Sequence, residues 1–368
     1  MLSSLFCAHA PARNRARNRL SKDSIAIKSM STSRKPRIGI TLGDCAGIGP
    51  EIVDLALKSD RVPKSAGYKI IGKYPNCQPG SPTAETARAA AAALEEAITL
   101  ARRGELDAIV TGPVHKARMY DVGFKFPGQT EFFAERCGVK NFSMCLTGGK
   151  MTVALVTAHL PLRKAASALL QSEIVRVGLL LANFLEQRTL SNEASRNSTA
   201  LSRQVSHERT STRSRVARLS IAVAGLNPHA GESGKLGREE IEIIAPAVAE
   251  LNQSLLTSHE SHPVFTGPHS PDTVFHRAIE GEFDGVLCMY HDQGLIPLKL
   301  HAFHQGVNVT LGLPFPRTSP DHGTAFEIAG KGIARPDSMI AAINLAVDLA
   351  RNCSGALQAP TSASPRRS

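Results

Sequence analysis

Apolar positions along this chain follow two alternating rhythms. From Pro36 onward, short β-rich runs give way to stretches whose apolar residues recur every three or four positions. RIGITLG (37–43), YKIIG (68–72), LDAIVTGP (106–113), MTVALVTA (151–158), LSIAVAGL (219–226) and FDGVLCMY (283–290) read as strands. EIVDLALK (51–58) and TARAAAAALEEAITLARR (86–103) read as helices, with further helices near 170–187, 238–256 and 336–351. Strands alternating with helices predict a largely parallel α/β sheet under helical cover. The 368-residue length suits two domains of this kind.

Three stretches break the rhythm. Residues 1–35 are rich in Arg, Ser and Ala, and Asp23 is their only acid. Such a leader reads as an organelle transit peptide, as a disordered extension, or as sequence before a native start at Met30. Segment 187–218 is rich in Ser, Thr and Arg with few apolar residues, which predicts a disordered surface insertion. The tail 353–368 has the same character.

These stretches also decide what the charge means. The formal net charge of +11 invites a nucleic-acid partner. Residues 1–37 contribute +8, residues 187–218 +5 and residues 351–368 +3, which leaves the remainder at −5. The basicity therefore lies outside the predicted fold, and neither nucleic acid nor membrane is expected as a partner. No apolar run approaches the roughly 20 residues of a membrane-spanning helix. The seven cysteines are widely spaced without a CxxC pair, which suits a reducing, cytoplasmic setting and argues against a thiolate metal site.

Polar clusters sit just beyond the predicted strands, where open α/β sheets place ligands. GDCAGIGPE (43–51) matches a dinucleotide-binding glycine fingerprint only loosely, and no cofactor-binding residues are assigned from it. TGPVHKARM and GFKFPGQTEFFAE (111–135) offer Lys116, Gln129 and Thr130 to an anionic substrate. His159, His229 and His291 each follow a separate strand, so they can converge at one end of a sheet as metal ligands. Lys299, Asn308 and Arg317 add donors suited to phosphate or carboxylate. His301 and His304 read as surface residues.

The motifs ITLGDCAGIGPE, TGPVHKA, FPGQTEFFAE, TAHLPL, GLNPHAGE, MYHDQGL and NVTLGLPFPRTSPDHGTA, in this order, resemble the 4-hydroxythreonine-4-phosphate dehydrogenase family between about Arg37 and Ala350. The resemblance implies a two-domain α/β fold similar to isocitrate and isopropylmalate dehydrogenases, with a central cleft. Residues 36–125 and 286–352 would form the first domain and 126–285 the second. It implies a homodimer whose active site is shared between subunits. His159, His229 and His291 would hold a divalent metal, with zinc first and Mg, Mn or Co as alternatives. Gln129, Thr130, Lys299, Asn308 and Arg317 would bind substrate, with Lys299 and Asp272 as catalytic residues. The implied reaction oxidises 4-phosphooxy-L-threonine with NAD (NADP stays open) to a 3-oxo acid that decarboxylates to 3-amino-2-oxopropyl phosphate, in vitamin B6 biosynthesis.

This chain departs from that pattern in having Gln129 where the family has His, in a segment between Gly72 and Thr86 that is shorter than usual, and in its leader and insertion. Oxidation of 4-phospho-D-threonate or 4-phospho-D-erythronate, a phosphate acyltransferase activity on a similar fold, and a metal-binding protein without catalysis remain as alternatives.

Overall fold

The β-rich runs become strands, and there are more strands than the apolar pattern predicts. The computed structural model describes residues 34–201, 218–256 and 262–353. The leader 1–33, part of the expected insertion (202–217) and the tail 354–368 lie outside the described residues. β1 (Arg37–Thr41), α1 (Gly49–Lys58), β2 (Gly67–Ile71), α2 (Ala84–Arg102) and β3 (Ala108–Thr111) alternate as expected. Helices α3 (Lys116–Asp121) and α4 (Gln129–Arg136) precede a hairpin of β4 (Ser143–Gly148) and β5 (Met151–Leu155). Next come α5 (Leu162–Ala165), α6 (Gln171–Leu201), β6 (Ser220–Ala224), α7 (Ala245–Leu255) and β7 (Val264–His269). The order ends with α8 (Val274–Ile279), β8 (Gly285–Cys288), α9 (His291–Ala302), β9 (Val307–Leu311), β10 (Arg317–Pro320) and α10 (Asp337–Cys353).

The ten strands of the described residues form one sheet in the order β2-β1-β3-β10-β9-β4-β5-β8-β6-β7. β2, β1, β3 and β10 are mutually parallel, as are β5, β8, β6 and β7. Three antiparallel pairings, β10 with β9, β9 with β4 and β4 with β5, join the two blocks. The blocks therefore run in opposite directions. This antiparallel seam modifies the expectation of a largely parallel sheet, and the mixed α/β class stands.

Burial explains the elements. β1, β3 and β8 are almost wholly enclosed, as parallel strands between helical layers must be. Thr83 caps α2 by accepting from the Thr86 amide, and the face Ala87, Ala90, Leu94, Ala97 and Ala101 is buried. Gly43 adopts φ +75°, and a Cβ at Gly49 would lie 1.8 Å from the Leu42 carbonyl oxygen. The glycines of 43–49 thus let this turn press against the end of β3, where the Asp44 amide donates to the Pro113 carbonyl at 3.0 Å.

Two expectations need correction. Disorder beginning at residue 187 does not fit, because α6 continues helically to Leu201. Arg188, half-buried, donates to the Thr147 and Thr152 hydroxyls at 2.8 and 3.1 Å, so a residue placed in the expected insertion is anchored on the β4–β5 hairpin. The chain also does not return to the first block at residue 286. β8 pairs between β5 and β6, and the return comes with β9.

Candidate active site

A cavity of about 230 Å³ opens where β3, α4, β9 and β10 meet. Thr111, Lys116, Gln129, Thr130, Asn308 and Arg317 are among its lining residues. Arg317 leads β10 and is 2% exposed. Its Nη2 donates to Thr111 Oγ1 at 2.6 Å and Gln129 Oε1 at 2.9 Å, and its Nη1 to Thr310 Oγ1 at 3.2 Å. The guanidinium also lies over the Phe133 ring, 5.4 Å from its centre. Every hydrogen-bonding partner is neutral, and burial holds the Arg317 pKa down to about 10. Its Nε has no protein partner. A buried cation with an unspent donor, set beside the first turn of α4, forms a ready anion site.

Acceptors gather around the same cavity. Glu131 Oε2, Asn308 Oδ1 and His322 Nε2 are buried without partners. His322 Nδ1 lies 3.2 Å from the Gly323 carbonyl, so the tautomer that donates there leaves Nε2 as a lone-pair acceptor. Burial lowers the His322 pKa and keeps the ring neutral. A ligand carrying both an anionic group and hydrogen-bond donors suits this set.

The three strand-end histidines follow β5, β6 and β8, which are neighbouring parallel strands, so all three leave the same end of one block. His159 and His291 lie side by side, with ring centres 5.8 Å apart. His229 is 62% exposed and pairs instead with Asp272, at 3.9 Å. Among the described residues, no three His, Cys, Asp or Glu side chains cluster tightly enough to hold a metal.

Each ring nevertheless has a carboxylate near its Nδ1. Glu131 lies 3.5 Å from His159, Asp292 2.6 Å from His291 and Asp272 3.9 Å from His229. The hydrogen bond to His159 holds the Glu131 carboxyl below its usual range. A carboxylate on one ring nitrogen leaves Nε2 free, which is the arrangement that orients a metal-binding imidazole.

His229 begins a run of six residues with positive φ, which ends at Gly234 and includes four that are not glycine. Left-handed backbone costs roughly 1–2 kcal/mol per non-glycine residue. The adjoining chain is held by the buried Glu240 carboxylate, which accepts from the Leu226 and Asn227 amides, both at 2.7 Å. Strain fixed this firmly marks a loop built to present something.

Not every residue expected from the sequence reaches the cavity. Lys299 lies on α9, paired with Asp321 at 3.1 Å, and does not line the Arg317 cavity. Asp272 stays beside His229, and a hydrogen bond from Ser270 lowers its pKa. Glu131, Glu240 and His322 were not anticipated. Glu131 and His322 lie inside the quoted motifs, whereas nothing about Glu240 in the sequence distinguishes it from a solvated helix acid.

Comparison with known proteins identifies the family. The family described as Pyridoxal phosphate biosynthetic protein PdxA matches residues 50–201 and 188–346. A 4-hydroxythreonine-4-phosphate dehydrogenase from Maricaulis maris is 44% identical over 74% of this chain and 73% of its own length. One from Desulfosudis oleivorans is 38% identical over 86% and 96%. A solved 4-hydroxythreonine-4-phosphate dehydrogenase from Klebsiella pneumoniae is 34% identical, with a TM-score of 0.65, covering 86% of this chain and all (100%) of that one. The chain thus belongs to the PdxA family, that of the 4-hydroxythreonine-4-phosphate dehydrogenases.

Proposed function

We propose that this protein oxidises 4-phosphooxy-L-threonine with NAD in vitamin B6 biosynthesis, yielding a 3-oxo acid that loses CO2 to give 3-amino-2-oxopropyl phosphate. The observation that carries this reading is the buried Arg317, which lines the cavity at the start of α4 and whose Nε has no protein partner. Arg317 would bind the phosphate, with Lys116 and the first amides of α4 adding positive potential.

Family membership leaves open the sister substrates with a hydroxyl in place of the amine. The cavity's unpartnered acceptors favour the amine. Glu131 Oε2, Asn308 Oδ1 and His322 Nε2 together offer more acceptors than one hydroxyl can satisfy, whereas an ammonium group brings three donors.

His159, His291 and His229 would hold a divalent metal, and the carboxylate at each Nδ1 supports the fit. When bound, such a metal lowers the pKa of a substrate hydroxyl and stabilises negative charge on the oxygen after decarboxylation. The protein's share is to fix each ring and to keep water from the cavity floor. Because His229 stands apart within one chain, we assign its place in the site to a second copy. Ile296 and Leu300 on α9 and Phe303 just beyond it, with Leu160 and Leu162, are exposed beside His159 and His291 and would be covered in that dimer.

Initial rates on 4-phosphooxy-L-threonine, 4-phospho-D-threonate and 4-phospho-D-erythronate, with NAD and then NADP, test the assignment. The amino substrate with NAD should have the highest kcat/KM. A higher value for either sugar acid would overturn the substrate assignment.

A further inference from the structure

We propose that Gln129 is a positioning residue: its neutral amide fixes the Arg317 guanidinium without cancelling the charge that binds the substrate anion. This rests on the phosphate reading of the cavity and gives position 129 a role beside the direct substrate contact expected there.

Both ends of the amide are occupied by protein. Oε1 accepts from Arg317 Nη2 at 2.9 Å, and Nε2 donates to the Gly112 carbonyl at 3.3 Å. The reverse rotamer would set donor against donor and acceptor against acceptor, so the network fixes the amide's orientation. Gln129 is also the first residue of α4, whose backbone starts at the cavity wall. The side chain thus ties Arg317 to the end of β3 through one donor and one acceptor of its amide.

The neutrality of this tie matters. A fully buried arginine is ordinarily expected to pair with a carboxylate. Here its hydrogen-bonding partners are two threonine hydroxyls and one amide. The nearby Glu131 has its Oε1 beside His159. A carboxylate at 129 would hold Arg317 as well or better through a charge-assisted bond, yet would neutralise it toward an incoming anion. The amide supplies geometry and leaves the charge for the ligand. A residue of the same length that cannot accept a hydrogen bond would leave the charge and lose the geometry.

The pair Gln129→Glu and Gln129→Met separates these roles. Inorganic phosphate binding would be measured by calorimetry, KM and kcat on 4-phosphooxy-L-threonine by initial rates, and folding by thermal unfolding. Gln129→Glu should keep or raise Tm while weakening phosphate binding about tenfold or more. Gln129→Met should weaken binding by a smaller factor, and in both variants the loss should fall on KM rather than kcat. The inference is overturned if folded variants bind phosphate like the parent, or if affinity simply follows Tm with Glu no worse than Met. Should Gln129→Glu fail to fold, unaltered phosphate binding by Gln129→Met alone overturns it. A parent protein that binds phosphate with this dependence yet does not oxidise the phosphorylated amino acid would refute the functional reading and leave this inference standing.

Discussion

Replacing Arg317 with methionine should cost function and spare the fold, and the sizes of both effects can be worked from its surroundings. Burial depresses the guanidinium pKa to about 10, which corresponds to roughly 3 kcal/mol against the charged form inside the protein. At pH 7 the group is charged in both folded and unfolded chains, so that cost is fully present, and it eases only as pH rises past the folded pKa. Methionine removes it and retains packing on Phe133. Against this gain, Gln129 Oε1 loses its donor, at a cost of about 1–3 kcal/mol. Thr310 can turn to Thr130, already 3.3 Å away, while the Thr111 hydroxyl loses its donor within the same cost. The terms nearly offset, and at roughly 2–4 °C per kcal/mol the Tm should stay within a few degrees. Binding has no such compensation. Losing a desolvated cation should lower kcat/KM by about a hundredfold or more, since a charged hydrogen bond alone is worth about 1.5–3 kcal/mol. Thermal unfolding at pH 7 and initial rates check both halves. A Tm lowered by about 8 °C or more would show that the guanidinium network is a net stabiliser, contrary to this reasoning.

Alanine at His159, His229 or His291 should each remove most bound divalent metal, read by elemental analysis of the purified protein; full metal content in all three variants would refute the ligand set. If the site is shared, mixing His159→Ala with His229→Ala chains under subunit exchange should restore up to about half the activity per mixed dimer, because one of its two sites inherits no defect. Gly49→Ala should abolish folding, since its Cβ would fall 1.8 Å from the Leu42 carbonyl oxygen; a soluble variant with native circular dichroism would contradict the packing. His322 and His269 have folded pKa values lowered first by burial. Their contribution is therefore present above the unfolded value of roughly 6.5 and is lost as pH falls through it. His322→Asn should accordingly lessen the loss of stability as pH falls below about 6.5 in denaturant titrations, and an unchanged pH dependence would exclude His322 as a source.

How much of this was legible in the sequence depends on what each residue was asked to do. Five of the six strands read from the sequence bury nearly all their side chains, as their apolar pattern requires, whereas the edge strand β2 buries Ile71 and leaves Ile70 exposed. β10 escaped because Arg317, Thr318, Ser319 and Pro320 read as loop, yet all four are buried. The interior tolerates them because their polar groups find partners on neighbouring elements, Arg317 on Thr111, Gln129 and Thr310, and Thr318 on the Ala342 carbonyl. α9 escaped for a related reason, since Gly294 and Pro297 interrupt its helical pattern. α6 was cut short at Arg188, whose charge suggests solvent until Thr147 and Thr152 are seen to receive it.

The histidines show the opposite limit. Their shared placement after β5, β6 and β8 was readable, because strand ends are fixed by strand order. Their separation was not, because the left-handed run that carries His229 depends on Glu240, eleven residues further along the chain. Apolar patterning thus identifies the elements that hold a site in place. The residues that perform chemistry break that patterning, and buried exceptions such as Arg317 and Glu240 are legible only once a fold shows what surrounds them.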